Sequence, residues 1–344
     1  MSKSGDAKGP AGVRQSLVTG GSGFVGSHLV ELLLARGDRV TVIDDLSTGR
    51  VSNLPVEHPH LRFIESSVAL ALGAFGPGEL FDEIYHLAAA VGVQLVLEDP
   101  IGSIETNVDQ TASLLRFART HGPGRGLAPT LITSSSEVYG KPTSEVFRED
   151  DDVVYGPTTA LRWSYAQTKA IDEYLALAHH ARFGVPTVVV RLFNTVGPRQ
   201  VGSYGMVLPR FVEAALSDEP LEVFGDGKQS RCFCDVRDVV EVLPRLIGTS
   251  ACAGRVFNVG GDESISIEAL AQLVIETLGS GSGISHVPYG QAYPDGFEDL
   301  RHRRPALDRV REAVGFEPKV GLAETIEDLA REIRGQVEGE QARC

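Results

Sequence analysis

A glycine series near the start of the chain constrains its fold more than any other feature. Gly20, Gly23 and Gly26 follow a short apolar run at 16–19 and open a stretch, 24–34, whose apolar positions recur at helical spacing. Strand, tight turn and helix in that order leave no side chains at the helix mouth. An anionic group can then approach backbone amides at the positive end of the helix dipole. A second apolar run, 40–43, ends at Asp44 and Asp45, where a carboxylate binds adenosine ribose hydroxyls and repels a 2′-phosphate. The two features together predict a dinucleotide site that takes NAD rather than NADP.

Apolar, β-rich runs recur at 83–87, 130–133 and 187–192, separated by helical stretches such as 171–180. Strands alternating with helices predict an α/β fold of the Rossmann type, a doubly wound parallel sheet. After Asn194 the pattern loosens into a Gly/Pro/Gln segment, 197–205, followed by a helix at 208–215, strand-like pieces at 221–224 and 256–259, and helices at 267–278 and 322–332. This reads as a smaller C-terminal α/β substrate domain interleaved with the end of the first. The expected division is 12–193 with 230–263 for the NAD-binding domain and 194–229 with 264–335 for the substrate domain. The polar ends, 1–11 and 336–344, are expected to be disordered tails.

Charge narrows the ligands. With 32 Lys and Arg against 46 Asp and Glu, the 344-residue chain carries a formal −14. A nucleic-acid backbone is repelled, and any phosphate-bearing ligand must be held locally. The cysteines, Cys232, Cys234, Cys252 and Cys344, lack metal-ligand spacing, so reduced thiols and no metal are expected. No apolar run approaches the roughly 18 residues of a membrane span, and residues 1–10 are polar, so a cytoplasmic protein is expected.

Tyr165 and Lys169 stand four apart at the start of a helical stretch, which puts both on one face. An ammonium there can lower the phenol's pKa and hold the nicotinamide ribose, making Tyr165 a base for a sugar hydroxyl. The pair lies downstream of a hydroxyl-rich strand end, Thr133-Ser134-Ser135-Ser136-Glu137-Val138-Tyr139-Gly140.

These residues, with Asp44-Asp45-Leu46-Ser47-Thr48-Gly49, His86-Leu87-Ala88-Ala89, Phe193-Asn194-Thr195-Val196-Gly197-Pro198-Arg199 and Phe224-Gly225-Asp226-Gly227, resemble the extended short-chain dehydrogenase/reductases that modify nucleotide sugars. The likeness spans about 14–333. It implies a cofactor site built from Gly20, Gly23, Phe24, Val25, Gly26, Asp44, Asp45, Ser47, Thr48, Gly49, Leu87, Ala88 and Ala89 together with Tyr165 and Lys169. It also implies a substrate site of Arg162, Asn194, Val207, Leu208, Leu221, Phe224, Arg231 and Arg303. Asn194 and Arg231 would hold the diphosphate, and residues 221–224 would flank the base. NAD would stay bound through a full redox cycle. A homodimer through paired helices is implied too, with 109–118 and the helix after Tyr165 as candidates.

Such enzymes share oxidation at C4 of the sugar and differ in the later steps. Ser135-Ser136-Glu137-Val138-Tyr139-Gly140 resembles the Thr-Ser-Glu-Val-Tyr-Gly of UDP-glucuronate decarboxylases. Arg301-His302-Arg303-Arg304-Pro305 and Arg162-Trp163-Ser164-Tyr165 are similar to segments of the same enzymes, and Gly225-Asp226-Gly227-Lys228-Gln229-Ser230-Arg231 fits them and many relatives. The resemblance implies a UDP-sugar, UDP-glucuronate, as substrate, decarboxylated to UDP-4-keto-pentose or UDP-xylose. Arg303 would hold the C5 carboxylate, with Arg301 and Arg304 competing for that role. Tyr165 and Ser135 would serve the C4 oxygen. Glu137, near C5, would position the carboxylate or relay the proton that replaces CO2, and it would be protonated during turnover or directed at a water, because two carboxylates repel. The alternatives are a UDP-hexose or UDP-hexuronate 4-epimerase, a 4,6-dehydratase, for which Ser136 stands where Asp is usual, and a catalytically silent NAD-sensing protein. Three positions depart from the pattern: Ser135 replaces Thr, Glu65-Ser66-Ser67-Val68 lacks an adenine-binding Asp, and Val91-Gly92-Val93-Gln94-Leu95 replaces a Ser/Pro-rich loop.

Overall fold

The computed structural model describes residues 12–90, 99–142, 144–202, 206–292 and 301–341. Seven parallel strands, numbered along the chain, make the central sheet: β1 (Gln15–Thr19), β2 (Arg39–Asp44), β3 (Leu61–Glu65), β4 (Glu83–His86), β5 (Thr130–Ser135), β7 (Thr187–Leu192) and β12 (Arg255–Val259). Their spatial order is β12-β7-β5-β4-β1-β2-β3. The order reverses between β1 and β4, and in an open parallel sheet the crevice at that reversal is where ligands bind.

Successive residues of each inner strand enter opposite layers, as a sheet buried on both faces requires. Val18, Val42 and Tyr85 pack with α1 (Phe24–Ala35) and α6 (Val236–Gly248). Leu17, Ile43 and Ile84 pack on the other side with α2 (Val68–Ala74), α3 (Pro100–Ala118) and α4 (Trp163–Phe183). Edge strand β3, with the pattern Leu-Arg-Phe-Ile-Glu and only partial burial, and α6 are elements that the apolar runs did not reveal.

The smaller unit has its own core, built by α5 (Val207–Leu216), β9 (Leu221–Phe224), α7 (Ile267–Leu278), β14 (Ile284–Val287) and the last helix, α9 (Leu322–Gln341). That helix continues where a tail was expected. Two segments pack otherwise than the expected division. β10 (Ser230–Cys232) leaves the large sheet and joins β13 (Ser264–Ser266), β15 (His302–Pro305) and β6 (Val146–Phe147) in the order β13-β10-β15-β6. Leu307, Val310 and Phe316, assigned to the small domain, instead fill the large core against α6, because α8 (Asp308–Val314) lies over β12 and α6. A further crossing pairs β8 (Thr195–Val196) with β11 (Cys234–Asp235).

Candidate active site

A cavity of about 500 Å³ opens at the reversal between β1 and β4. Gly20, Gly23, Phe24, Val25, Gly26, Asp44, Asp45, Ser47, Thr48, Leu87, Ala88 and Ala89 line it. Helix α1 starts at Gly23 with no side-chain cap, so its first amides face the cavity unclaimed. Gly20 has φ +71°, and a Cβ there would meet the Ala88 backbone at 2.6 Å; a Cβ on Gly26 would lie 2.0 Å from the Gly20 carbonyl oxygen. Glycine is therefore required for the loop to close on the helix and leave room for a diphosphate. Asp44 accepts from the Ser22 amide at 2.9 Å and from the Leu46 amide at 2.9 Å, which shapes the loop and leaves acceptor capacity for ribose hydroxyls. Burial pushes its carboxyl up, against those two amides, and neighbouring Asp45 adds to the rise. Gly49 does not line the cavity; it packs on Ser22 and Asp44.

A second cluster gathers at the end of β5. The chain turns there into a short 3-10 helix, Ser136–Tyr139, where Ser135 Oγ accepts from the Glu137 amide at 3.2 Å. Glu137 accepts from Arg303, which arrives on β15, and its other oxygen lies 3.7 Å from Arg162 at the start of α4. Arg231 sits opposite Arg303 in the β10–β15 register. Burial raises the Glu137 carboxyl, but Arg303, Arg162 and Arg231 outweigh it and hold the group below its ordinary value. Held below its ordinary value, Glu137 favours the carboxylate form, and it is directed at the guanidinium groups of Arg303 and Arg162.

Burial raises the Tyr165 phenol, Glu137 raises it further, and a hydrogen bond with Ser135 works the other way. Lys169, 2% exposed, places Nζ 2.8 Å from the carboxylate of Asp172, itself fully buried. Without ligands the Lys169 ammonium faces Asp172, and burial leaves the Tyr165 phenol protonated. Tyr165, Lys169, Ser135 and Glu137 do not line the cavity described above.

A buried polar network holds this cluster from behind. Ser134 donates to Glu173 at 2.5 Å, and Arg191 grips Glu173 through two bonds at 2.9 and 2.7 Å. Arg191 lies over the Tyr139 ring at 4.6 Å, and Tyr139 donates to Asn258 at 2.7 Å. Asn258 donates in turn to the carbonyls of Phe147 and Ala306. One chain of bonds thus ties the catalytic strand end to the segments flanking β6 and β15.

The model of the NAD dependent epimerase/dehydratase family matches residues 16–260. The chain belongs to that family. It is 39% identical to a UDP-N-acetyl-alpha-D-glucosaminuronate decarboxylase of Bacillus cytotoxicus, over 91% of this chain and 97% of that one. It is 35% identical to UDP-glucuronic acid decarboxylase 4 of Arabidopsis thaliana, over 99% and 74%. Among solved structures it superposes with a TM-score of 0.79 and 25% identity on a UDP-glucuronic acid 4-epimerase of Bacillus cereus in complex with UDP-glucuronic acid and NAD, over 94% and 99%. The family cofactor is NAD, and the uncapped α1, the glycine cradle and Asp44 fit it.

Against this family's chemistry the remaining expected residues separate. On β15, Arg303 is buried while Arg301 and Arg304 are exposed, which divides three arginines that the sequence left equivalent. Asn194, at φ +27°, donates to the Cys232 carbonyl at 3.0 Å. Phe224 lies under the Arg210 guanidinium, 4.3 Å away. The side chains of Leu208 and Leu221 are buried in the small core at 1% and 0% exposure, so only their backbone can meet a ligand; Val207 packs against the same core. Sequence reasoning missed Arg50, Asn53 and Gln110, and the wall contributed by Leu329, Glu332 and Ile333 of α9. It also missed Asn107, which receives the Ala90 amide at 2.8 Å. None stands in a local pattern that announces a site. Cys232, Cys234 and Cys252 are free, buried thiols. Residues 91–95 and Cys344 lie outside the described residues.

Proposed function

We propose that this protein is an NAD-dependent decarboxylase of a UDP-linked hexuronate, with UDP-glucuronate as substrate and UDP-4-keto-pentose or UDP-xylose as product. The observation that carries the reading is an ionised Glu137 among Arg303, Arg162 and Arg231, beside Ser135 and Tyr165. Arg231 serves the diphosphate of any UDP-sugar, but Arg303 and Arg162 exceed what a neutral hexose needs, whereas a C5 carboxylate needs at least one of them. Two relatives named for decarboxylating uronates support it.

Bound NAD supplies the chemistry of taking a hydride from C4 and returning it. Tyr165 removes the C4 hydroxyl proton and Ser135 hydrogen-bonds the same oxygen. Lys169 leaves Asp172 for the nicotinamide ribose, bringing positive charge toward the phenol. Once C4 is a ketone, the sugar is a β-keto acid. The C5–C6 bond breaks, CO2 leaves, and the electron pair moves onto the C4 oxygen as an enolate. Arg303 holds the carboxylate before this step and so exchanges or shares Glu137. C5 then takes up a proton that Glu137 relays from solvent, the one net proton consumed, and with C4 reduced again the proton held by Tyr165 would return to the C4 oxygen to give the pentose.

The 39% identity to an enzyme named for an N-acetylated uronate supports a second reading, in which the sugar carries an acetamido group at C2. Incubation with UDP-glucuronate, UDP-N-acetylglucosaminuronate and UDP-glucose, with the products read by mass spectrometry, tests both. Loss of CO2 from either uronate supports decarboxylation and its relative rate identifies the sugar; isomerisation without mass change points to an epimerase. A homodimer is part of the proposal. Supporting it, Ile101 and Ile104 of α3 and Ile171 and Tyr174 of α4 are exposed, while Leu114, Leu115, Phe117 and Ala118, in the stretch first considered, belong to the core.

A further inference from the structure

We propose that Arg199 is the second jaw of a clamp on the cofactor's diphosphate, facing the amides of the α1 N-terminus. Arg199 lines the same cavity as Gly23 and Phe24, yet it comes from the loop after β8 and has no part in the steps above. Its backbone sits in the left-handed region at φ +68°, a conformation that a non-glycine residue holds only when its surroundings fix it. Two carboxylates do so. Glu332 of α9 accepts from the Arg199 amide at 2.6 Å, and Glu31 of α1 accepts from Nη2 at 2.6 Å. The other terminal nitrogen, Nη1, is buried and has no hydrogen-bond partner among the described residues. A buried guanidinium nitrogen beside an open cavity calls for an acceptor, and an anionic one most of all.

Charge points the same way. The described lining of the cavity carries five carboxylates against two guanidinium groups, Arg50 and Arg199. In a chain of net charge −14 a diphosphate needs a local cation as well as helix amides. Arg50 is exposed, and its amide caps the Ser22 carbonyl on the side of Asp44, toward the adenosine. Arg199 is tethered to α1 itself through Glu31, two turns beyond the glycine loop. The cofactor's diphosphate is accordingly the occupant, although a UDP-sugar carries the same group. Because the Arg199 amide hangs from the last helix of the small unit, the clamp is assembled by both units.

The test uses the full chain freed of nucleotide, with affinities for NAD, ADP, adenosine and UDP measured by calorimetry. Arg199→Gln is expected to weaken NAD and ADP by roughly 10- to 100-fold and to leave adenosine and UDP unchanged. Glu332→Ala, which frees the Arg199 backbone but keeps the guanidinium, is expected to weaken NAD and ADP by a smaller factor, roughly threefold, and to leave adenosine and UDP unchanged. Should the Gln variant not fold, Arg199→Lys decides, with a smaller loss confined to the same two ligands. Unchanged NAD affinity, or an equal loss for adenosine, would overturn the proposal. A loss for UDP in place of NAD would move Arg199 to the substrate's diphosphate and overturn it as well.

Discussion

Arg303 and Glu137, 166 residues apart in the chain, hold one another beside Tyr165. The pair brings the end of β15 against the turn after β5, and it seats a carboxylate among guanidinium groups before any substrate arrives. How the pair responds to substrate binding is the centre of the mechanism.

Replacing Arg303 with Ala removes the cation that the substrate's carboxylate would take over. Steady-state kinetics should show kcat/KM for a UDP-uronate falling by roughly 10²- to 10³-fold, as expected for losing a charge-assisted hydrogen bond in a buried site. Binding of UDP-glucose should change far less. Equal losses on both sugars would remove Arg303 from carboxylate recognition.

Tyr165→Phe should lower turnover by roughly 10²- to 10⁴-fold while NAD remains bound. Burial and Glu137 push the phenol up, so kcat/KM of the parent should climb as pH rises from 6 to 9. The Phe variant should lose that climb. A variant with the same pH profile as the parent would assign the titration to another group.

His86 provides a test of stability. It is wedged between Thr19 Oγ1 at 2.7 Å and Thr111 Oγ1 at 3.1 Å, and burial first, the Lys169 charge next, lower its ring from 6.5 to about 3. The unfolded chain binds this proton near pH 6.5 and the folded chain only near 3. The stability it contributes is complete above pH 6.5 and is lost as pH falls through that window. The slope is about 1.4 kcal/mol per pH unit, or about 2 kcal/mol between pH 6.5 and 5. Urea unfolding of His86→Asn at pH 7 and pH 5 should show a pH dependence smaller by that amount. The same dependence as the parent would show that His86 charges in the fold.

The glycines of the loop should not be equivalent. A Cβ at Gly26 meets the Gly20 carbonyl oxygen at 2.0 Å, but one at Gly23 meets it at 3.3 Å. Gly26→Ala should abolish NAD retention through purification, read from the absorbance of the released nucleotide, and Gly23→Ala should weaken it only modestly. Equal retention in both variants would mean that the loop relaxes around the added methyl.

Much of the site was legible in the sequence because it is local. Gly20 to Gly26, Asp44, and the Tyr165/Lys169 spacing each lie within one turn or one strand end, so residue type and position alone announce them. Six of the seven sheet strands carry buried apolar runs, which read directly; half-buried β3, at the edge, did not. The features that escaped depend on register across long separations. Arg301, Arg303 and Arg304 look alike until β15 pairs with β10 and turns one of them inward. The ionised state of Glu137 and the Lys169–Asp172 contact arise from charges that only the folded chain brings together. Leu208 and Leu221 were expected as ligand contacts because the family resemblance implies them, whereas the small core claims their side chains.

The four-stranded sheet β13-β10-β15-β6 draws its strands from residues 146–147, 230–232, 264–266 and 302–305. Its consequence lies in the timing of synthesis. Chains fold from the N-terminus as they emerge from the ribosome, so the glycine loop, Asp44 and the first six strands of the large sheet can form while translation continues. Arg303 is made only after all of these. A nascent chain that has completed the glycine loop still lacks Arg303, which would select the acidic sugar, and α9, which walls the cofactor cavity, so neither site is whole until both have been made.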